Sequence, residues 1–349
     1  MTENDTIGWW HPSRFNRRRG LLETRARIMT ALRRWFDQEG FLEVETPALQ
    51  ISPGMETHLR PFSTELISPE GQRYPRYLHT SPEFAMKKLL VAGLPRLFQL
   101  AHVFRNGEQS RTHSPEFMML EWYRAGASYD VLMVDCEMLL RLACICAGTA
   151  VLRHGDRLAA PTEPFERLTV AEAFTRHAGI DLLGTAPDPL SPSVALLARA
   201  AQDQGIAPHA GDTWEDLFFR IMLDRIEPHL GMGRPTFLIE YPVSMAALAR
   251  PKPGDPRVAE RFELYACGVE LANAFGELTD PVVQRRRFES DMNLRERLYG
   301  DRLPIDEDFL AALEHGMPDS AGLALGIDRL VMLATGAGSI AEITWVPVA

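Results

Sequence analysis

The segment FRNGEQSRTHSPEFMMLEWY, residues 104–123, decides the fold of this chain. Its apolar lead-in, LFQLAHVFR, places Arg105 at the end of a strand, and Glu108 to Ser114 is polar without alternation, which reads as a loop. EFMMLEWY then resumes a period of two, with Phe117, Met119, Glu121 and Tyr123 on one face and Met118, Leu120 and Trp122 on the other. Strand, charged loop and strand therefore aim one arginine and two carboxylates at whatever lies on the sheet. An arginine fork matches phosphate oxygens with paired charge-assisted hydrogen bonds, so a polyphosphate substrate suits this hairpin.

Upstream, residues 1 to about 19 read as a tail, and Leu21 to Gly40 as an amphipathic helix with Ile28, Leu32, Trp35 and Phe36 inward and a glycine stop. FLEVETPAL alternates and halts at Pro47, a strand ended by proline. Strand-like pieces follow from Thr57 to Glu83, with a turn at Ser68 to Gly71. In TSPE, Ser81 reads as the N-cap of the next helix, Pro82 as its first residue and Glu83 as a first-turn charge.

Downstream of the hairpin, Asp130 to Ala147 reads as a helix with Leu132, Val134, Met138, Leu139 and Leu142 in the core. Residues of about 150–258 are rich in Ala, Leu and Pro and read as a helical insertion, closed by a buried strand in TFLIEYPV, residues 236–243. In RFELYACGVELANAFGELTD, residues 261–280, a turn centred on Ala266 and Cys267 predicts Glu263 opposite Glu270, two carboxylates able to share a divalent ion. Asn273, Phe275 and Glu277 then share a face, and bringing Glu270 onto it demands a bulge near Ala272. In GLALGIDRLVML, residues 322–333, a strand passes into a helix with Arg329 in the first turn, where free N–H groups favour anions. Gly322 and Gly326 allow close backbone approach to a ligand.

The composition is that of a globular protein, 46% hydrophobic and 24% charged over 349 residues, with no apolar run of membrane-spanning length and no signal-peptide pattern, which points to the cytoplasm. The four cysteines lack metal-ligand spacing and read as free thiols. Net charge is −10, yet the first 34 residues hold eight arginines against three acids, so Arg14 to Arg34 is a basic stretch that could dock an acidic partner.

Taken together, these clusters resemble the three signature motifs of class II aminoacyl-tRNA synthetases: the first helix with FLEVETP, then FRNGEQSRTHSPEF, then GLALGIDR. Within the class, FLEVETP, the SPE segment, HSPEF and ELANAFGEL are most similar to lysyl-tRNA synthetase. The resemblance implies an α+β fold, an antiparallel sheet flanked by helices, with residues 1–20 as tail, 21–349 as the catalytic domain, and a two-fold homodimer built on the first motif. An anticodon-binding OB-fold has no room before the first motif. The chain is therefore similar to the short lysyl-tRNA synthetase paralogues that ligate (R)-β-lysine to a lysine of translation elongation factor P, and tRNA is not an expected partner. Ser81 in TSPE and Ala324 in GLALGIDR, where the synthetases commonly carry alanine and glycine, match the ligase-like pattern.

The resemblance implies roles residue by residue. Arg105 would hold the α-phosphate of ATP and Arg329 the γ-phosphate, with Phe117 stacked on adenine and Asn106, Gly107, His113, Ser114, Leu271 and Gly326 along the nucleotide. Glu263 and Glu270 would hold Mg²⁺. Ser81, Pro82, Glu83, Glu121 and Tyr123 would line the pocket for lysine or β-lysine together with Asn273, Glu277 and Ala324. Gly107 stands where the family often has glutamate, Ser114 where it has asparagine and Ala274 where it has glycine. The implied chemistry is a two-step ligation through an aminoacyl adenylate; a truncated synthetase core and a silent regulatory paralogue are the competing readings.

Overall fold

A computed structural model describes residues 8–348; residues 1–7 of the expected tail, and Ala349 of the expected domain, lie outside the described residues. The chain opens with α1 (Pro12–Gln38), which begins well inside the stretch read as tail because Pro12 at its start and the ring of His11 cap it. Its buried stripe is Leu22, Ile28, Leu32 and Phe36, and Gly40 leaves the helix in the left-handed region at φ 75°. FLEVETPAL contributes less strand than its alternation predicts: only β1 (Leu42–Glu43) forms, then β2 (Leu49–Gln50) beyond Pro47.

The hairpin of β3 (Phe62–Ile67) and β4 (Arg73–Leu78) turns at Ser68 to Gly71 and carries β2 on its other edge. Then come α2 (Glu83–Val91), β5 (Arg96–Phe104), β6 (Glu116–Ala125) and α3 (Tyr129–Ala147). Ser81 is not the cap of α2; Pro82 holds that place, although the Glu83 N–H still donates to Ser81 Oγ at 3.0 Å. In α3 the inward stripe is Leu132, Met133, Cys136, Leu139, Leu140 and Ala143, whereas Val134 and Met138 face out.

The stretch read as a helical insertion also contains strands. A small hairpin, β7 (Leu152–His154) and β8 (Arg157–Ala159), precedes β9 (Glu166–Thr169), and the helices α4 (Val170–Ala173), α5 (Val194–Asp203) and α6 (Trp214–Ile221) follow. β10 (Thr236–Ile239) is the buried strand expected in TFLIEYPV. The helices pack around Phe174, Trp214 and Phe218 as a core of their own.

The remainder is β11 (Pro251–Lys252), β12 (Asp255–Ala259), β13 (Arg261–Ala266), β14 (Val269–Gly276), α7 (Pro281–Tyr299), α8 (Glu307–Gly316), β15 (Ser320–Gly326), α9 (Ile327–Thr335) and α10 (Ile340–Ile343). Eight strands form one sheet in the order β1-β5-β6-β15-β14-β13-β10-β9, antiparallel through its centre and parallel at both edges. Leu120, Trp122, Ala272, Leu323 and Leu325 pack from its back face against α1, α3 and α9. Tyr123 and Leu97 on the front meet Phe84, Phe288 and Phe309 of α2, α7 and α8, leaving a cleft over the middle of the sheet. Among the described residues, no helix is long and apolar enough to cross a membrane. The cysteines are free; Cys136, Cys144 and Cys267 are buried.

Candidate active site

The cleft encloses about 550 Å³. Its floor is laid by strand register. Glu121 on β6, Ala324 on β15 and Asn273 on β14 form one cross-sheet row, and Tyr123, Gly322 and Phe275 form the next. Because the side-chain period is two, these rows face the same way. The methyl of Ala324 thus stands between an acid and an amide.

At one end, Arg105 lies over the Phe117 ring, 5.3 Å from its centroid, and its buried Nε has no hydrogen-bond partner. Arg329 is held on three sides: Nη2 donates to His113 Nε2 at 2.6 Å, Nη1 to the Glu270 carbonyl at 2.8 Å, and Nε to the Thr112 carbonyl at 3.3 Å. Burial and the Arg329 guanidinium push the His113 pKa down, so the neutral ring accepts from Arg329 while its other nitrogen meets Ser110 Oγ at 2.8 Å. Ser114, Leu271 and Gly326 complete this end. Asn106 and Gly107 are exposed on the turn after β5, outside the cleft wall.

The β13–β14 hairpin turns one residue later than the sequence suggests, on Cys267 and Gly268, both in the left-handed region at φ 56° and 70°. Glu263 therefore pairs with Asn273 and Glu270 with Tyr265; Leu271 is the extra residue of the bulge that returns Glu270 to the cleft face. Glu263 shares the face of Asn273 but stands outside the cleft lining, its oxygens accepting from Arg261 and from the Tyr265 hydroxyl, each at 2.7 Å. Enclosure and the neighbouring Glu263 raise the Glu270 pKa, while Arg329 and Arg105 oppose the rise. Two mutually repelling carboxylates beside an arginine-lined end have the chemistry to hold a hard divalent cation, although Glu263 reaches it only by sharing oxygens already bonded.

At the other end, Glu121 is 1% exposed and accepts from Ser81 Oγ and from the Tyr123 hydroxyl at 3.1 Å. Burial, then Glu83, push its pKa up to about 8. A feature not read from the sequence sits beside it: Lys87, also 1% exposed, bridges Glu83 at 2.6 Å and Glu277 at 2.5 Å. Burial opposes the Lys87 charge, but the two carboxylates outweigh it and raise its pKa. The i,i+4 spacing of Glu83 and Lys87 was the available signal; Glu277 lies too far along the chain to give one. Glu277 Oε1 and Asn273 Oδ1 are buried without hydrogen-bond partners. A Cβ on Gly322 would stand 2.2 Å from Tyr123 Cε1 and 2.5 Å from Glu277 Oε1, so glycine here makes room for both. Pro82 borders not this cleft but a smaller chamber beside it.

Asp328, next to Arg329, accepts from Arg25 of α1 and from the Met118 N–H of β6 at 3.0 Å. Arg25 is buried, and Arg18 donates to the Ala341 and Trp345 carbonyls, so part of the basic stretch read as a docking face is internal bracing.

A sheet of this order, with one arginine from the β5–β6 hairpin and another from the strand-to-helix turn of β15 and α9, has the arrangement of a class II synthetase catalytic domain. The family model for class II tRNA synthetases (D, K and N) matches residues 10–349, and the chain belongs to that family. Among curated proteins, it is 43% identical over 323 residues to the elongation factor P--(R)-beta-lysine ligase of Klebsiella pneumoniae subsp. pneumoniae, spanning 91% of this chain and 92% of that one. The protein of the same name from Edwardsiella ictaluri is 42% identical over the same spans.

Proposed function

We propose that the protein is an ATP-dependent ligase that joins (R)-β-lysine to the ε-amine of a lysine on elongation factor P through an aminoacyl adenylate. The observation that carries this reading is one cleft with two chemically opposite ends, an arginine-lined end suited to phosphates and a buried end with Glu83, Glu121 and Glu277 around a single resident ammonium, Lys87. Three carboxylates and one fixed cation leave two negative charges once Glu121 ionises, which matches the two ammonium groups of a lysine-like amino acid.

In the first step, the carboxylate of the amino acid attacks the α-phosphorus of ATP, and pyrophosphate leaves. Arg105, its Nε unpaired, holds the α-phosphate as charge moves onto the leaving group. Arg329, braced by His113 and by Glu270, binds the terminal phosphate. Phe117 stacks on adenine, with Ser114, Leu271 and Gly326 beside the nucleotide. Mg²⁺, held by Glu270 and Glu263, supplies neutralisation of phosphate charge. Glu121, Tyr123, Asn273 and Glu277 orient the amino acid over Ala324. In the second step, the acceptor amine attacks the acyl carbon and AMP leaves. Catalysis is positioning and charge stabilisation, with no enzyme nucleophile.

The reading includes a homodimer. Leu49, Ile51, Leu66 and Tyr74, each at least 38% exposed, lie on and beside one face of the β2–β4–β3 sheet, an apolar surface suited to an isologous interface. Light scattering tests this assembly. The function is tested by incubating the protein with ATP and elongation factor P, with either (R)-β-lysine or α-lysine, and weighing the product; a parallel arm offers tRNA. A mass increase on elongation factor P supports the reading. Lysyl-tRNA formation with unmodified elongation factor P refutes it.

A further inference from the structure

Beside the cleft, behind the N-terminus of α2, lies a narrow chamber of about 60 Å³. Its walls are apolar where Met55, Phe84, Leu248 and Phe288 meet, and polar where Glu56, Asp291 and Gln284 converge. Glu56, Glu83 and Asp291 line chamber and cleft alike, so the two spaces are continuous. Gln284 is 1% exposed, and neither its amide nitrogen nor its amide oxygen has a hydrogen-bond partner. A buried amide left unpaired loses its hydration without replacement, so a fold that keeps one facing a cavity has a use for it. Gly54, at φ 135°, makes room for Glu56: a Cβ there would stand 2.5 Å from Glu56 Oε2. Ala247, which also lines both spaces, has a left-handed backbone at φ 49°.

Apolar walls ending in two carboxylates and an amide oxygen suit an unbranched alkylammonium. The amino-acid end of the cleft already has its own acids, Glu121 on β6 and Glu277 just past the end of β14. The chamber's polar groups come from different elements: the loop before β3 for Glu56, and α7 for Gln284 and Asp291. Glu56 feels the charges of Glu83 and Lys87 at the amino-acid end and that of Arg105 at the arginine-lined end, which puts it between the two, where an acyl carbon would react. Burial, then Glu215 and Glu56, push the Asp291 pKa up to about 7, and an incoming cation relieves that crowding.

We propose that this chamber receives the side chain of the acceptor lysine, its methylenes against Met55, Phe84, Leu248 and Phe288 and its ammonium at Glu56, Asp291 and the Gln284 amide oxygen. The inference rests on the ligase reading above and assigns the site of its second substrate. The ammonium gives one proton to a chamber carboxylate, and the freed amine attacks the acyl carbon. The new C–N bond forms as the C–O bond to phosphate breaks, AMP leaves with that electron pair, and the second N–H proton passes to solvent.

The two half-reactions separate the sources of the ammonium. ATP–pyrophosphate exchange with (R)-β-lysine reads amino-acid activation alone, and transfer from preformed enzyme-bound adenylate to elongation factor P reads the acceptor. Asp291→Asn and Gln284→Met are each expected to leave exchange within about twofold of the parent while raising the KM for elongation factor P by roughly 10- to 100-fold, the range for a lost hydrogen bond to a charged group. Asp291→Asn keeps the shape of the side chain, so it stands as the test if Gln284→Met melts early. A parallel rise in the amino-acid KM would assign the chamber to the amino acid and overturn the proposal, as would unchanged transfer in variants that melt like the parent. A parent enzyme that exchanges but never modifies elongation factor P overturns the ligase reading and this inference together; loss confined to the variants cannot be mistaken for that.

Discussion

Replacing Lys87 with methionine tests the charge balance of the amino-acid pocket. Lys87 and Glu277 are each 1% exposed and 2.5 Å apart, and Glu83 lies 2.6 Å from the same ammonium. Methionine keeps most of the volume but leaves two carboxylates facing each other without their cation. Removing one partner of a buried pair costs about 3–5 kcal/mol. At roughly 2 °C per kcal/mol for a chain of this size, the variant should melt some 6–10 °C lower at pH 8. Burial raises the Glu277 pKa and Lys87 opposes that rise, so without Lys87 it climbs further. Between the ordinary carboxyl range and that raised value, the native variant holds a proton that the unfolded chain has released. Its stability therefore falls as pH rises, and the deficit should shrink toward pH 5. Thermal and denaturant unfolding at pH 5 and pH 8 measure this. The double variant Lys87→Met with Glu277→Gln should recover about 2 kcal/mol relative to the sum of the single changes. An equal deficit at both pH values, or one below about 1 kcal/mol, would refute a buried ionised bridge.

Arg105→Ala should lower ATP–pyrophosphate exchange by at least roughly 100-fold, the scale for a lost donor to developing charge; near-normal exchange would remove Arg105 from the phosphate site. Glu121, held up to about 8 in the free enzyme, should ionise when an ammonium docks beside it, so amino-acid binding at pH 7 should release close to one proton. Titration calorimetry in buffers of different ionisation enthalpy reads this, and proton uptake would contradict it. Gly322→Ala drives a methyl into Tyr123 and Glu277, an overpacking of about 1–3 kcal/mol, and should raise the amino-acid KM with little change in ATP affinity. An unchanged amino-acid KM would place the pocket elsewhere.

The strand pairs were legible because alternation reports which way a side chain faces. Phe117, Met119, Glu121 and Tyr123 do line the cleft while Leu120 and Trp122 enter the core, and the bulge that parity demanded before Asn273 is present at Leu271. Positions set by the backbone path were less legible. A one-residue shift of the hairpin turn, with the extra residue of the bulge, moved Glu263 from opposite Glu270 to opposite Asn273, and FLEVETPAL alternates over a longer stretch than pairs with a neighbour. Alternation states a face, not a partner, and the partner strand β5 takes up only Leu42 and Glu43.

Least legible were the charges that act across the fold. Arg25 reads in sequence as one of eight arginines in a basic stretch, yet it forms a buried pair with Asp328. The other oxygen of Asp328 takes the Met118 N–H, at the foot of the strand that carries Phe117. The next residue, Arg329, reaches back to Thr112 and His113 in the β5–β6 loop. One turn of α9 thus fixes α1, the start of β6 and the loop between β5 and β6 relative to one another. The arginine-lined end of the cleft is therefore held by bonds between three segments that carry no sequence signal as a set: each residue has an adequate local explanation, and only closure of the sheet makes them partners.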